Sequence, residues 1–156
     1  MRRHPFLSKL AREGVVRLVQ PSESVKDSYV KKSEEYLSSA KLLLEKGKLE
    51  TPVSLAYYSM YYSALALLFS VGIKCENHSA ALILLDNVFG IDTRDLAKAK
   101  TERIDKQYYV GFSIAKVDVE ALIMEAERFN SETLDFIDRL NNERIEGYRK
   151  TLKMLL

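Results

Sequence analysis

The chain has 156 residues, 47% hydrophobic and 29% charged, with a formal net charge of +2. That is enough for one domain with a hydrophobic core, and so small a net charge creates no global field demanding nucleic acid or membrane. A single cysteine, Cys75, excludes an intrachain disulfide, and with only His4 and His78 beside it the usual zinc cluster is excluded as well. No metal and no cofactor is therefore expected, and the lone cysteine fits a reducing, cytoplasmic setting.

Charge is uneven along the chain. Residues 1–20 carry Arg2, Arg3, Lys9, Arg12 and Arg17 against Glu13 alone. This basic end can touch phosphate, and the simpler reading is a solvated tail. No apolar stretch of signal-peptide length follows it. Residues 5–19 read as a short N-terminal helix or arm interrupted by Gly14 and stopped by Pro21. The expected division is an N-terminal basic arm or short helix over 1–20 and a helical bundle over 21–156.

Ser22 or Ser24 is placed to cap the next helix. Val25, Tyr29, Tyr36, Leu37, Ala40, Leu43 and Leu44 then keep to three- and four-residue spacing, which lays an apolar stripe on one helix face. Thr51-Pro52 opens the central helix, with the threonine as cap and the proline at the first helical position. This helix is apolar nearly all round and must be covered on several sides. Four tyrosines and four serines are spread along residues 51–72, which makes it a buried core helix and not a membrane span.

Gly72 ends that run, and residues 73–77 read as a loop. His78 to Phe89 is a short helix closed by Gly90, and Thr93 is placed to cap a further segment, Arg94 to Tyr109. A last long helix starts near Val117-Asp118 and runs past Tyr148, with a kink around 129–132. No stretch alternates with period two. The fold class is all-α: an up-and-down antiparallel bundle of four to five main helices with a short N-terminal helix or arm.

Candidate chemistry gathers after the central helix. His78 sits among Lys74, Glu76, Asn77 and Ser79 at a helix start. A helix N-terminus suits an anion, histidine can move a proton near neutrality, and lysine can neutralise phosphate. The competing reading is that Asn77 or Ser79 caps the helix and His78 is a polar surface residue. Arg103, Asp105, Lys106, Tyr108 and Tyr109 form a second group, whose plainer reading is a structural ion-pair network. The ladder Tyr57, Tyr58, Tyr61, Tyr62 can stack bases, but core packing explains the same spacing.

Ala56-Tyr57-Tyr58-Ser59-Met60-Tyr61-Tyr62-Ser63-Ala64-Leu65, followed by Gly72-Ile73-Lys74 and Asn77-His78-Ser79, resembles the signature of HEPN domains, the higher eukaryotes and prokaryotes nucleotide-binding family. Leu37 to Leu44 resembles the helix preceding it. Arg103-Ile104-Asp105-Lys106-Gln107-Tyr108-Tyr109 is similar to a later Arg-x-x-x-Asp-Tyr segment, with Asp105 displaced. The resemblance implies an all-α bundle that forms a homodimer. It further implies nucleotide binding, or a non-catalytic role in a toxin–antitoxin-type module with a minimal nucleotidyltransferase partner. His78 would be the catalytic residue of any activity, with Lys74, Asn77, Ser79, Arg103, Asp105 and Tyr109 on the nucleotide or its phosphate. Other members of the family are metal-independent ribonucleases carrying an arginine, four to six residues, then a histidine. Here Val71, Gly72 and Ile73 stand where that arginine belongs, with Lys74 one place closer. Nucleotide-binding component, ribonuclease acting on RNA through His78, and structural helical adaptor are the three functions left open.

Overall fold

A computed structural model describes residues 2–108 and 113–156, the side chains of 104–108 excepted. Seven helices and two short strands are seen among the described residues. The arrangement is the expected all-α bundle, built around its third helix.

Pro5–Arg12 forms α1, with Pro5 at its first position and His4 Nδ1 accepting the Leu7 amide at 3.4 Å. Gly14, at φ 74°, then takes a left-handed conformation that turns the chain out of helix. Val16–Leu18 continues as strand β1. Strand β2, Ile73–Cys75, lies antiparallel to it, with Val16 opposite Cys75, Arg17 opposite Lys74 and Leu18 opposite Ile73. The expectation of one broken helix over 5–19 and a loop over 73–77 is therefore corrected. Three-residue strands are too short to display period-two alternation, so nothing in the spacing announces them. The basic end is also not a solvated tail. Leu7, Leu10 and Val16 are buried, and α1 is tied to the far end of the chain by His4 N–H donating to Leu155 O at 2.8 Å.

Helix α2, Glu23–Glu45, is capped by Ser22, whose side chain accepts the Val25 amide at 3.2 Å. Helix α3, Glu50–Ser70, begins one residue before Thr51, with Leu49 at the cap position and no side-chain cap. Thr51-Pro52 thus lies inside the first turn and does not precede it. Proline is tolerated there because the amides of a first turn have no intrahelical acceptor in any case. Helices α2, α5 (Arg94–Tyr108), α6 (Lys116–Asp138) and α4 (His78–Phe89) all pack on α3, together with β2. That accounts for its lack of a polar face: Tyr57, Ser63, Leu65 and Ala66 are buried on different sides of it.

Its small polar residues lock the neighbours in register. Ser33 of α2 donates to Ser59 O at 2.7 Å, and Ser59 Oγ donates to Ser33 O at 2.8 Å. Asn130 of α6 closes the circuit, accepting from Ser63 Oγ at 2.8 Å and donating to Ser59 Oγ at 2.7 Å. All four residues are buried, so each polar atom needs such a partner.

The long last helix is two helices. α6 ends at Asp138 and α7 runs Asn142–Leu155, with Asn141 Oδ1 accepting the Arg144 amide at 2.9 Å. The break falls at 139–141 and not around 129–132. Asparagine there satisfies a new helix start, while the apolar spacing carries on through Ile137, Leu140, Ile145 and Tyr148 and hides the interruption. α7 lies by the C-terminal end of α3, where Arg149 Nη1 donates to the carbonyls of Val19, Val71 and Gly72 at 2.8, 3.0 and 3.0 Å. No helix among the described residues is long and apolar enough to cross a membrane.

Candidate functional site

β2 delivers the chain to the start of α4, and Asn77 fixes that start. Its Oδ1 accepts the Ala80 amide at 2.9 Å, so this side chain serves as the cap. His78 is consequently the first helical residue, half-buried against α3. Tyr57 and Tyr61, four apart and on one face of α3, enclose its ring. Tyr61 stacks on it with centroids 3.9 Å apart and planes 13° from parallel. Tyr57 Oη lies 2.5 Å from His78 Nδ1.

α5 brings two cations to the same place. Lys100 donates to Ser79 Oγ at 2.8 Å. Arg103 donates from Nη1 to Tyr58 Oη at 2.9 Å, and its guanidinium carbon sits 5.2 Å from the Tyr57 ring centroid and 5.3 Å from that of Tyr58. Burial lowers the His78 pKa below its ordinary value, and the positive charges of Arg103 and Lys100 lower it further. The imidazole is thus neutral near pH 7. Burial pushes the Tyr57 hydroxyl up to about 12, so it keeps its proton.

Of the residues singled out in the sequence, His78, Ser79 and Arg103 meet here. Asn77 is adjacent but is committed to capping. Lys74 stands on β2, where it pairs with Glu76 at 3.1 Å instead of reaching the histidine in place of an arginine. Tyr109 and the side chain of Asp105 lie outside the described residues. Sequence reasoning missed Lys100, and weighed Tyr57 and Tyr61 as core or as a base-stacking ladder, not as the wall that holds the histidine. They are buried, but His78 is part of what buries them. Two signals were available: the shared face of Tyr57 and Tyr61, and the three-residue step from Lys100 to Arg103.

The other tyrosine pair faces α2. Tyr58 and Tyr62 lie against Tyr36, at centroid distances of 6.3 and 5.0 Å, and Tyr62 stacks on Tyr29 at 5.9 Å. Burial also raises the Tyr62 hydroxyl, to about 12. Cys75 is buried and its thiol pushed up by burial, which makes it a poor nucleophile.

A cavity of about 430 Å³ opens elsewhere, lined by Ser22, Lys26, Ser70, Asp138 and Asn141 among others. Ser70 is thirteen residues beyond Tyr57 on α3, roughly 20 Å along the helix. Lys26 is paired there with Asp27 at 2.7 Å, with Glu23 and Asp138 adding negative charge, so this cavity does not favour an anion.

A family model described as the HEPN domain matches residues 27–136, about 70% of the chain. The chain belongs to the HEPN domain family. The match spans α2 through most of α6 and so contains every residue of the His78 cluster. A UPF0332 protein of Pyrococcus horikoshii is 50% identical over 56 residues, which is 36% of this chain and 39% of that relative. A UPF0332 protein of Thermotoga maritima is 28% identical over 85 residues, 54% of this chain and 58% of the relative. The matches thus cover less than two thirds of either relative. In this HEPN domain the cations whose charge acts on His78, Arg103 and Lys100, come from α5 and not from the residues preceding it.

Proposed function

We propose that the His78 cluster binds a phosphate-bearing ligand, a nucleotide or a nucleotide of an RNA chain. The observation that carries this reading is the convergence of Lys100 and Arg103 from α5 on the first turn of α4 at His78. The Asn77 cap takes the Ala80 amide and leaves those of His78 and Ser79 at the positive end of the helix dipole, the two cations add to the same field, and a neutral imidazole supplies a further polar group. An anionic ligand would relieve the positive environment that holds the His78 pKa down. In this reading the chain is a nucleotide-binding component that works as a homodimer beside a minimal nucleotidyltransferase. The partner and the dimer rest on the family resemblance.

Calorimetric titration with AMP tests the site. Wild type is expected to bind, and Arg103→Ala and Lys100→Ala to bind about tenfold to a hundredfold more weakly, the usual range for a hydrogen bond to a charged group. Equal affinity in all three proteins refutes the assignment.

One observation favours a second reading, a metal-independent ribonuclease: an arginine does stand beside His78, although it comes from another helix. Histidine would handle protons while arginine stabilised charge on the phosphate. Cleavage of single-stranded RNA in EDTA, abolished by His78→Ala, supports it. Equal rates in wild type and variant end it.

A further inference from the structure

We infer that Tyr57 is a positioning residue which holds His78 as the Nε2–H tautomer, so that the ring offers the ligand a hydrogen-bond donor and not a proton acceptor. The inference rests on the phosphate-binding reading for its purpose, but its geometry stands apart from any ligand. Tyr57 is 1% exposed, and among the described residues its hydroxyl has one hydrogen-bond partner, His78 Nδ1 at 2.5 Å.

Two arrangements of the proton fit that distance. If Nδ1 carried the proton and donated, the tyrosine hydrogen would be left in a buried place without an acceptor, which is costly. If the hydroxyl donates, both atoms are satisfied and the ring proton of neutral His78 must be on Nε2. A hydroxyl that keeps its proton far above neutrality agrees with the second arrangement. Tyr61, stacked 3.9 Å away and nearly parallel, holds the plane of the ring so that the two nitrogens do not exchange places.

Nε2 has no hydrogen-bond partner among the described residues. Its N–H is thus a donor in reserve, matched to an anionic oxygen, on the residue that precedes Ser79, the partner of Lys100. A general base would need that nitrogen unprotonated. The pairing with Tyr57 therefore weights the site toward binding and against abstraction of a ribose hydroxyl proton by Nε2.

The test is a long-range proton–nitrogen spectrum of the imidazole rings in protein labelled with nitrogen-15 histidine, recorded well above the histidine pKa. The loss of signals in His78→Gln separates His78 from His4. Wild type is expected to show a protonated Nε2 and an unprotonated Nδ1 shifted by accepting a hydrogen bond. In Tyr57→Phe the Nδ1 signal should move to that of a free nitrogen, and AMP affinity should fall on the order of fivefold, the worth of one neutral hydrogen bond. A wild-type Nδ1 that carries the proton, an Nδ1 signal unmoved in Tyr57→Phe, or an unchanged affinity each overturns the inference. Should Tyr57→Phe not fold, the wild-type spectrum alone decides the tautomer. Should wild type not bind AMP, the phosphate-binding reading fails, while the spectra without ligand still support or overturn the tautomer.

Discussion

His78 is neutral in the folded protein because burial and two nearby cations oppose its charge, and this gives stability a pH dependence of known sign. Its folded pKa lies below the ordinary value of 6.5, so as pH falls the unfolded chain takes up the proton first. Unfolding then binds a proton, and stability declines from about 6.5 downward until the folded value is passed. Above that window the contribution is fully present. Urea denaturation of wild type and His78→Gln at about pH 5 and about pH 7.5 measures it: the loss on acidification should be smaller in the variant. A second single-residue prediction concerns Gly72. Its φ is 75°, and a Cβ there would collide with Arg149 Nη1 and the Val19 carbonyl. Gly72→Ala should cost about 3 kcal/mol or more in chemical denaturation, strain and collision together. A loss below about 1 kcal/mol would mean that the Arg149 clasp is not rigid.

At the scale of elements, the contacts that set helix register are the polar ones. Asn130→Ala removes an acceptor from Ser63 and a donor to Ser59, all three residues being buried. The expected loss is about 2–3 kcal/mol by urea denaturation, the cost of leaving buried polar partners unsatisfied. The elements also show what could be read in advance. α3 was legible because an all-round apolar helix has one physical solution, burial among other helices. His78 was legible as the histidine that follows it, and Asn77 as a cap. The short strands were not legible, since three residues carry no period. The α6–α7 break was masked by apolar spacing that continues across it. The cations of the site were half legible: spacing shows that Lys100 and Arg103 share a face of α5, but which helix that face meets is a property of packing and not of local sequence. For the same reason Lys74, near His78 along the chain, was the natural choice, and the strand pairing of β2 directs it elsewhere.

For the whole molecule, the central helix serves as both the middle of the core and the back wall of the site. Tyr57 and Tyr61, both buried, are those that hold the histidine, so the core and the proposed site share residues. Binding should therefore stabilise the fold. With AMP at a hundred times the wild-type Kd, unfolding free energy should rise by about 2.7 kcal/mol, read as a higher midpoint of thermal denaturation, and by only about 0.4–1.4 kcal/mol in Arg103→Ala at the same concentration. A homodimer is likewise expected in light scattering at micromolar concentration, and a monomer throughout would remove the proposed assembly while leaving the site within one chain. The central claim is that phosphate is held where α4 begins, and backbone amide chemical shifts during titration of the wild-type protein with AMP test it most directly. Saturable shifts are expected at His78, Ser79 and Ala80 and at Lys100 to Arg103; shifts confined to the cavity around Ser22 and Asn141, or none at all, would contradict phosphate binding there.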